Sequence, residues 1–206
     1  MDVVTDTRLR IIEAARTRLL ADGYAGLSTR QVAEEAGVPL SQLHYHFGSK
    51  GGLITALFAE ENNRLLERQT EMYAQDKPLW QRYEQACDFL EDDLESGYVR
   101  VLQEMLAAGW SNPEIGDVVR DLLARWYVLL ADVAREAERR FGALGPFTPE
   151  EIATLVANAF IGSEALLLLG FERPVMPIRS ALRRIGVIIR EREEAAGAVG
   201  APIVAG

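Results

Sequence analysis

Residues 27–53 read LSTRQVAEEAGVPLSQLHYHFGSKGGL, a stretch that predicts two short helices joined by a tight turn. In the first helix, Val32 and Ala36 recur at the spacing of one helical face. Gly37 stands where a helix ending in the left-handed conformation favours a residue without Cβ. Pro39 suits the first turn of the second helix. Two helices around a short Gly-containing turn are typical of helix-turn-helix DNA-binding proteins.

The residues around this turn form a longer pattern of short segments: Gly23-Tyr24, Leu27–Arg30, Ala36–Val38, Tyr45-x-Phe47 and Ser49-Lys50. With these segments, the chain from about Thr5 to Phe58 closely resembles the TetR (tetracycline repressor) family. The resemblance implies a three-helix DNA-binding domain followed by a helical bundle for ligand binding and dimerisation. Beyond Phe58 the chain is similar to that family in layout only.

The chain departs from the family pattern in three places. His44 stands where relatives usually have Tyr, and Pro39-Leu40 replaces residues that are more often small or polar. An operator sequence therefore cannot be carried over from relatives. Gly51-Gly52 replaces a common acidic pair, and each Gly costs about 0.8–1.0 kcal/mol of helix propensity relative to Ala. No reason for this glycine pair is visible in the sequence.

Composition restricts the other possibilities. A chain of 206 residues that is 49% hydrophobic has room for one large domain, or for a small domain joined to a larger one. The single cysteine, Cys87, excludes an internal disulfide and fits a reducing cytoplasm. We expect no membrane span, secretory signal, metal site or cofactor. No nucleophile–base set, phosphate-binding loop or dinucleotide fingerprint suggests an enzyme.

The net charge of −9 is unevenly distributed along the chain. Residues 1–56 hold six Lys/Arg and six Asp/Glu, so the whole acidic excess lies in residues 57–206. Repulsion of DNA by distant acidic groups is largely screened beyond about 8 Å at physiological salt. The charge is compatible with DNA binding but predicts weak non-specific affinity.

Helical spacing continues to the end of the chain, and no β-type alternation occurs, so the predicted fold is all-α. The predicted helices have these approximate bounds: 5–22, 28–36, 39–47, 50–74, 78–95, 98–110, 113–141, 149–169 and 178–194. Thr148 is expected to cap the helix that starts at Pro149. We divide the chain into a DNA-binding domain (1–55), a ligand-binding and dimerisation domain (56–194) and a low-complexity tail (195–206).

The predicted DNA contacts are Thr29, Arg30, Leu40, Ser41, Gln42, His44, Tyr45 and Lys50. Thr29 and Arg30 suit a phosphate at the start of the first motif helix, although Thr29 could be a plain N-cap. Gln42 can pair bidentately with adenine, and Leu40 can contact a thymine methyl. Tyr45 fits a phosphate better than a base, and Lys50 resembles the backbone-binding lysine of relatives.

The two last helices carry apolar stripes whose ordinary role would be intramolecular packing. The resemblance implies instead that these helices pair with their copies in a homodimer. The predicted interface residues are Leu155, Ala159, Gly162, Leu166, Ile178, Leu182, Ile185 and Ile189.

A ligand pocket is predicted among the large side chains of the central helices, most of which are expected to be core. The predicted ligand-binding residues are Tyr83, Cys87, Trp110, Phe160 and Glu164. Glu164 is flanked by apolar residues, so it either orients a ligand or pairs with Arg179 or Arg183 across a dimer.

Together these features predict a cytoplasmic, homodimeric transcriptional regulator of the TetR type. It would repress by binding a palindromic operator in double-stranded DNA, and a small, mostly apolar inducer would release it. Two alternatives stay open: an activator of the same fold, and a helical carrier of lipids or other small molecules. A carrier would leave Ser28–Lys50 unexplained.

Overall fold

The computed structural model describes residues 3–199. Over that range the chain forms α-helices and, apart from one isolated bridge between Arg173 and Met176, no β-structure. The helices are α1 (Val3–Gly26), α2 (Thr29–Glu35), α3 (Leu40–Phe47), α4 (Lys50–Tyr73), α5 (Leu79–Ser96), α6 (Tyr98–Ser111), α7 (Pro113–Phe141), α8 (Pro149–Leu168) and α9 (Ile178–Val199). The all-α prediction is confirmed. The predicted tail 195–206 is helical as far as Val199, and residues 200–206 lie outside the described range.

These helices form two compact units that are not continuous in sequence. The first unit contains the chain up to Leu65 together with Ser96–Leu123, and the second contains Leu66–Glu95 and the chain from Ala124 onward. The predicted boundary after residue 55 does not coincide with this division. The reason is that α6 packs against α1, a long-range contact that no local pattern announces.

The first unit is built on mutual packing of α1, α2, α3 and α6. Its core includes Leu19, Val32, Leu43 and Phe58, none of which is more than 1% exposed. Regular geometry in α1 stops at Gly23, whose φ of 69° is left-handed, close to the predicted end of that helix.

The turn between α2 and α3 has the predicted left-handed glycine, with φ of 64° at Gly37. The Gly37 N–H donates to the Glu34 carbonyl at 3.1 Å, and the Val38 N–H donates to the Ala33 carbonyl at 3.0 Å. This pair of bonds satisfies carbonyls at the end of α2 in the manner of a Schellman motif. Thr29 is not the N-cap that the sequence analysis considered: Ser28 occupies that position with extended backbone, and no side-chain capping hydrogen bond forms there.

The second unit contains the C-terminal parts of α4 and α7, nearly all of α5, and α8 and α9. Thr148 caps α8 as predicted, in a complete capping box with Glu151. Along α9, Ile178 and Leu182 are 6% and 4% exposed, and the Tyr83 hydroxyl donates to the Leu182 carbonyl at 3.0 Å. One apolar face of α9 therefore packs inside its own unit.

Helix α8 is apolar around most of its circumference. By length and composition alone it could cross a membrane, and 22% of its most apolar 18-residue window is buried. Ala153, Ala157 and Phe160 face the interior, whereas Leu155 is 53% exposed. Helix α8 therefore buries one apolar side and leaves other apolar residues exposed.

Candidate nucleic-acid interface and ligand cavity

The short helix α3 has one buried anchor and a broad exposed side. Leu43 is completely buried and fixes α3 against the core of the first unit. The residues predicted to contact DNA from this helix are all exposed: Leu40, Ser41, Gln42, His44 and Tyr45. Tyr45 is 79% exposed, far more than a core tyrosine would be. The exposed side thus offers an amide, hydroxyls and an imidazole, groups that can meet base edges and phosphates.

His44 is held by the residue that ends its helix. Its Nδ1 lies 3.0 Å from the carbonyl oxygen of Gly48, which has a left-handed φ of 71°. A carbonyl oxygen only accepts, so Nδ1 carries the proton and Nε2 of the neutral ring is left as an acceptor. His44 can therefore accept a hydrogen bond where relatives of the TetR type have a tyrosine hydroxyl.

Lys50 begins α4 and reaches back to the end of α1. Its Nζ lies 4.6 Å from the centroid of the Tyr24 ring and 3.5 Å from the Ala25 carbonyl oxygen. Partial burial lowers the pKa of Lys50. These contacts restrict a long side chain, so less conformational entropy is lost when the ammonium binds an anion.

Thr29 and Arg30 start α2, next to the turn. Thr29 is half-buried, and Arg30 is exposed with its Nε 3.2 Å from Glu34 Oε1. An exposed i,i+4 pair of this kind is weak, so a phosphate can compete for the guanidinium.

Two further residues shape the same region: Arg10, which the sequence analysis missed, and Gly52, for which it found no reason. Arg10 Nη2 donates to the Ala36 carbonyl at 2.5 Å and lies 3.4 Å from the Gly37 carbonyl oxygen, which ties α1 to the turn. Gly52 is needed for close approach, because a Cβ there would lie 2.2 Å from the Phe47 carbonyl oxygen. Gly51 has no comparable contact: the nearest atom to its Cβ position is Ser49 Oγ at 3.6 Å.

A cavity of about 270 Å³ lies within the second unit. It is lined by Tyr73, Leu79, Tyr83, Leu130, Val133, Ala134, Ala137, Phe141, Leu144, Ile152, Ala153, Val156, Ile185, Ile188, Ile189 and Arg192. Nearly all of these side chains are apolar, as is usual for small-molecule pockets. Tyr83 is the predicted ligand-binding residue that lines this cavity.

Two other residues of the predicted pocket are buried near Tyr83 but do not line the cavity. Phe160 packs edge-on against the Tyr83 ring with centroids 6.1 Å apart. Cys87 is 3% exposed, and burial raises its pKa to about 11, so the thiol is protonated at neutral pH. Both side chains support the cavity wall from behind.

The prediction for Trp110 is wrong. This side chain is 85% exposed on α6 and belongs to the first unit, because the buried face of α6 is formed by residues such as Leu102 and Met105. Glu164 is buried, but it does not line the cavity. The two arginines considered as its partners pair within the chain: Arg179 with Glu91 at 2.8 Å, and Arg183 with Asp88 at 2.7 Å.

The predicted dimer residues divide into two groups. Those on α9 face inward: Ile178 and Leu182 are core, and Ile185 and Ile189 line the cavity. Assigning them to an interface was wrong, because the cavity and the core already occupy that stripe. Arg192 follows Ile185 and Ile189 at seven and three residues, a helical spacing that could have revealed it as a cavity residue.

The predicted dimer residues of α8 keep accessible surface. Leu155 and Gly162 are exposed, and Ala159 and Leu166 are half-buried. Apart from the adjacent residues and backbone of its own helix, no described residue lies within 4 Å of the position a Cβ would take on Gly162, so another helix can approach closely there. Among the residues that the structure describes, no group of three His, Cys, Asp or Glu side chains could hold a metal ion.

Comparison with protein families supports the reading of the first unit. The model described as Bacterial regulatory proteins, tetR family, matches residues 11–57. An uncharacterized HTH-type transcriptional regulator of Mycobacterium tuberculosis is 27% identical over 165 residues, covering 77% of this chain and 80% of that protein. The HTH-type transcriptional repressor AcnR of Corynebacterium glutamicum is 35% identical over 66 residues, covering 32% of this chain and 35% of AcnR.

Solved structures share the fold along most of the chain. Salmonella enterica GusR matches with a TM-score of 0.74 at 17% identity, covering 93% of this chain and 98% of GusR. A transcriptional regulator from Saccharomonospora viridis, solved with choline, matches with a TM-score of 0.73 at 21% identity over 91% and 96% of the two chains. FadR from Bacillus subtilis, solved with stearoyl-CoA, matches with a TM-score of 0.71 at 16% identity over 87% and 97%. At identities this low, the matches show that the fold is shared and nothing further.

Proposed function

Because the chain belongs to the TetR family of helix-turn-helix transcriptional regulators, we propose that it is a repressor. It binds a palindromic operator as a homodimer and is released by a small, mostly apolar inducer. Its target is chromosomal DNA, so it works in the cytoplasm.

The observation that carries this proposal is the exposed side of α3. Gln42 pairs with an adenine, Ser41 contacts a base edge, and Leu40 meets a thymine methyl. Phosphates are bound by Thr29, Arg30, Tyr45 and Lys50, while His44 accepts a hydrogen bond from a donor on a base edge. The buried Leu43 and the Gly37 turn support this role, because they hold α3 rigidly while its far side stays open.

The apolar cavity supports control by a small molecule. Two proteins of the same fold were solved with ligands, one with choline and one with stearoyl-CoA. An inducer can shift the regulator away from DNA only by binding the non-DNA-binding conformation more tightly. Tyr83 and the apolar residues around it supply this affinity through buried area, at about 25 cal/mol per Å² before the costs of binding.

Dimerisation is supported by the accessible apolar face of α8. Leu155 and Gly162 leave room for a second helix, and exposed apolar surface of this kind marks interaction sites. A two-fold dimer presents two reading helices to major grooves about 34 Å apart, which explains why the operator must be palindromic.

The proposal is tested by selecting duplexes from a random pool with the full-length protein and measuring their affinity at several salt concentrations. Gln42→Ala is expected to relax specificity at one position in each half-site, at a cost of about 1–3 kcal/mol. Lys50→Ala is expected to weaken binding to all DNA sequences alike. It should also reduce the slope of log affinity against log salt concentration by about one.

Lys77→Ala is the matched control, because Lys77 is an exposed lysine in the second unit. This substitution should leave the base specificity and the salt dependence of DNA binding unchanged. A selection that yields no palindrome preferred over random DNA at low salt contradicts operator binding. A reporter whose transcription falls when the regulator is deleted would identify an activator instead.

A further inference from the structure

The cavity of the second unit contains one charged side chain. Of the sixteen residues that line it, only Tyr73, Tyr83 and Arg192 carry polar side-chain groups. The Tyr83 hydroxyl is occupied, since it donates to the Leu182 carbonyl at 3.0 Å. The Tyr73 hydroxyl and the Arg192 guanidinium are left to determine which polar group of a ligand the cavity accepts.

Arg192 differs from the arginines around it. Arg82 and Arg140 both pair with Glu136, at 2.7 Å and 2.9 Å. On α9 itself, Arg190 pairs with Glu194 at 2.9 Å. Within residues 3–199, Arg192 has neither an ion pair nor a hydrogen bond, and it is exposed. It therefore stands at the opening of the cavity with its charge available.

Among the residues that the structure describes, no acidic side chain lines the cavity. The neighbour of Arg192, Glu193, accepts from the Leu79 and Trp80 N–H groups at 3.2 and 3.4 Å, so its charge is used at the start of α5. A cationic ligand would meet Arg192 without a counter-charge. An anion would gain a charge-assisted hydrogen bond, which for a carboxylate and a guanidinium can be bidentate.

The size of the cavity limits the apolar part of the ligand. A volume of about 270 Å³ lies just below the range of about 300–1,000 Å³ that is usual for small-molecule pockets. The apolar body that the cavity encloses is therefore small, such as a chain of medium length, and a much longer chain would extend into solvent.

Building on the proposed function, we infer that the effector is an amphipathic monocarboxylate of medium chain length. Its apolar body fills the cavity, and its carboxylate binds the Arg192 guanidinium. Tyr73, whose hydroxyl has no hydrogen-bond partner among the described residues, provides a neutral donor to an oxygen of the ligand. Burial raises the pKa of this phenol, so it remains a donor at neutral pH.

Titration calorimetry on the full-length protein without DNA tests this assignment. The probes are octanoate, octan-1-ol and octylammonium, which share one apolar chain and differ in head-group charge. We expect octanoate to bind about tenfold more tightly than octan-1-ol, because an exposed arginine contributes a modest amount. Octylammonium should bind least tightly.

The variants isolate the arginine. Arg192→Gln should remove the preference for octanoate, which is about tenfold in the wild type, and leave the affinity for octan-1-ol unchanged. Arg192→Lys should keep part of that preference. Arg190→Gln is the matched control, because Arg190 lies on the same helix, is paired with Glu194 and does not line the cavity. Octanoate affinity that survives Arg192→Gln, or equal affinity for the three probes, overturns the assignment.

Operator release is measured separately, so that the two proposals can fail separately. Octanoate that binds in an Arg192-dependent manner but never releases operator supports the ligand class and contradicts the inducer role. If the protein binds a palindrome tightly but prefers octan-1-ol or octylammonium, the proposed function stands and the assignment of a carboxylate effector is wrong.

Discussion

Gly51 and Gly52 follow Lys50 in the first turn of α4, yet their surroundings differ. A methyl group on Gly51 would make an ordinary contact with Ser49 Oγ at 3.6 Å. One on Gly52 would lie 2.2 Å from the Phe47 carbonyl oxygen, so the backbone would have to move. Only the second glycine is required by the structure.

Paired alanine substitutions are expected to have opposite effects. Gly51→Ala should stabilise the protein by about 0.5–1 kcal/mol, because Ala loses less backbone entropy than Gly in a helix. Gly52→Ala should destabilise it and weaken operator binding, since α4 and Lys50 would shift together. Urea unfolding and gel shifts measure the two effects. Equal stabilisation by both substitutions would show that the contact with Phe47 is not restrictive.

Three helices of the second unit meet at Arg82, which is 2% exposed. It donates to the Tyr73 carbonyl at the end of α4 at 2.6 Å and pairs with Glu136 of α7 at 2.7 Å. Hydrogen bonding from Arg82 lowers the pKa of Glu136. A buried arginine left without its carboxylate is costly, so this pair joins α4, α5 and α7.

Glu136→Gln is expected to lower the free energy of unfolding at pH 7. The loss should fall near the lower end of about 3–5 kcal/mol, because Glu136 is half-buried and the Tyr73 carbonyl remains. Since the pKa of Glu136 is lower in the folded than in the unfolded protein, its contribution is present above its ordinary pKa of 4.5 and is lost as pH falls through the folded value.

The difference in stability between wild type and Glu136→Gln should therefore shrink as the pH of the unfolding experiments is lowered from 7 to 3. Glu138→Gln is the control on the same helix, and as an exposed substitution it should change stability by less than about 0.5 kcal/mol at every pH. A stability difference that is constant across this range would contradict the ion-pair explanation.

At the scale of the whole molecule, two-fold pairing through α8 is the feature that determines how DNA is bound. Leu155→Glu places a charge on a residue that is 53% exposed, so it should not disturb the unit itself. We expect the variant to sediment as a monomer. Its affinity for the full palindrome should fall far more than twofold, because a monomer has one recognition helix and binds only one half-site.

Thr70→Glu serves as the control, since it adds the same charge to an exposed position on α4. It should leave the sedimentation coefficient and operator affinity unchanged. A wild-type protein that sediments as a monomer and still binds a full palindrome tightly would exclude the dimer.

The sequence alone determined the features that depend on near neighbours in the chain. The left-handed Gly37, the buried Val32 and the capping Thr148 each follow from a few adjacent residues. The all-helical fold follows from the spacing of apolar residues along the whole chain.

Only the tertiary structure decided which surface each apolar stripe faces. A stripe records that a helix face is buried, but it does not identify the partner, so Ile185 was assigned to a dimer although it lines a cavity. Trp110 suggested a pocket by its size and is 85% exposed. Gly52 is explained by the Phe47 carbonyl, and Arg192 by a cavity to which α4, α5, α7, α8 and α9 all contribute. These features depend on distances through space between residues remote in sequence or across a turn, which periodicity along one helix does not specify.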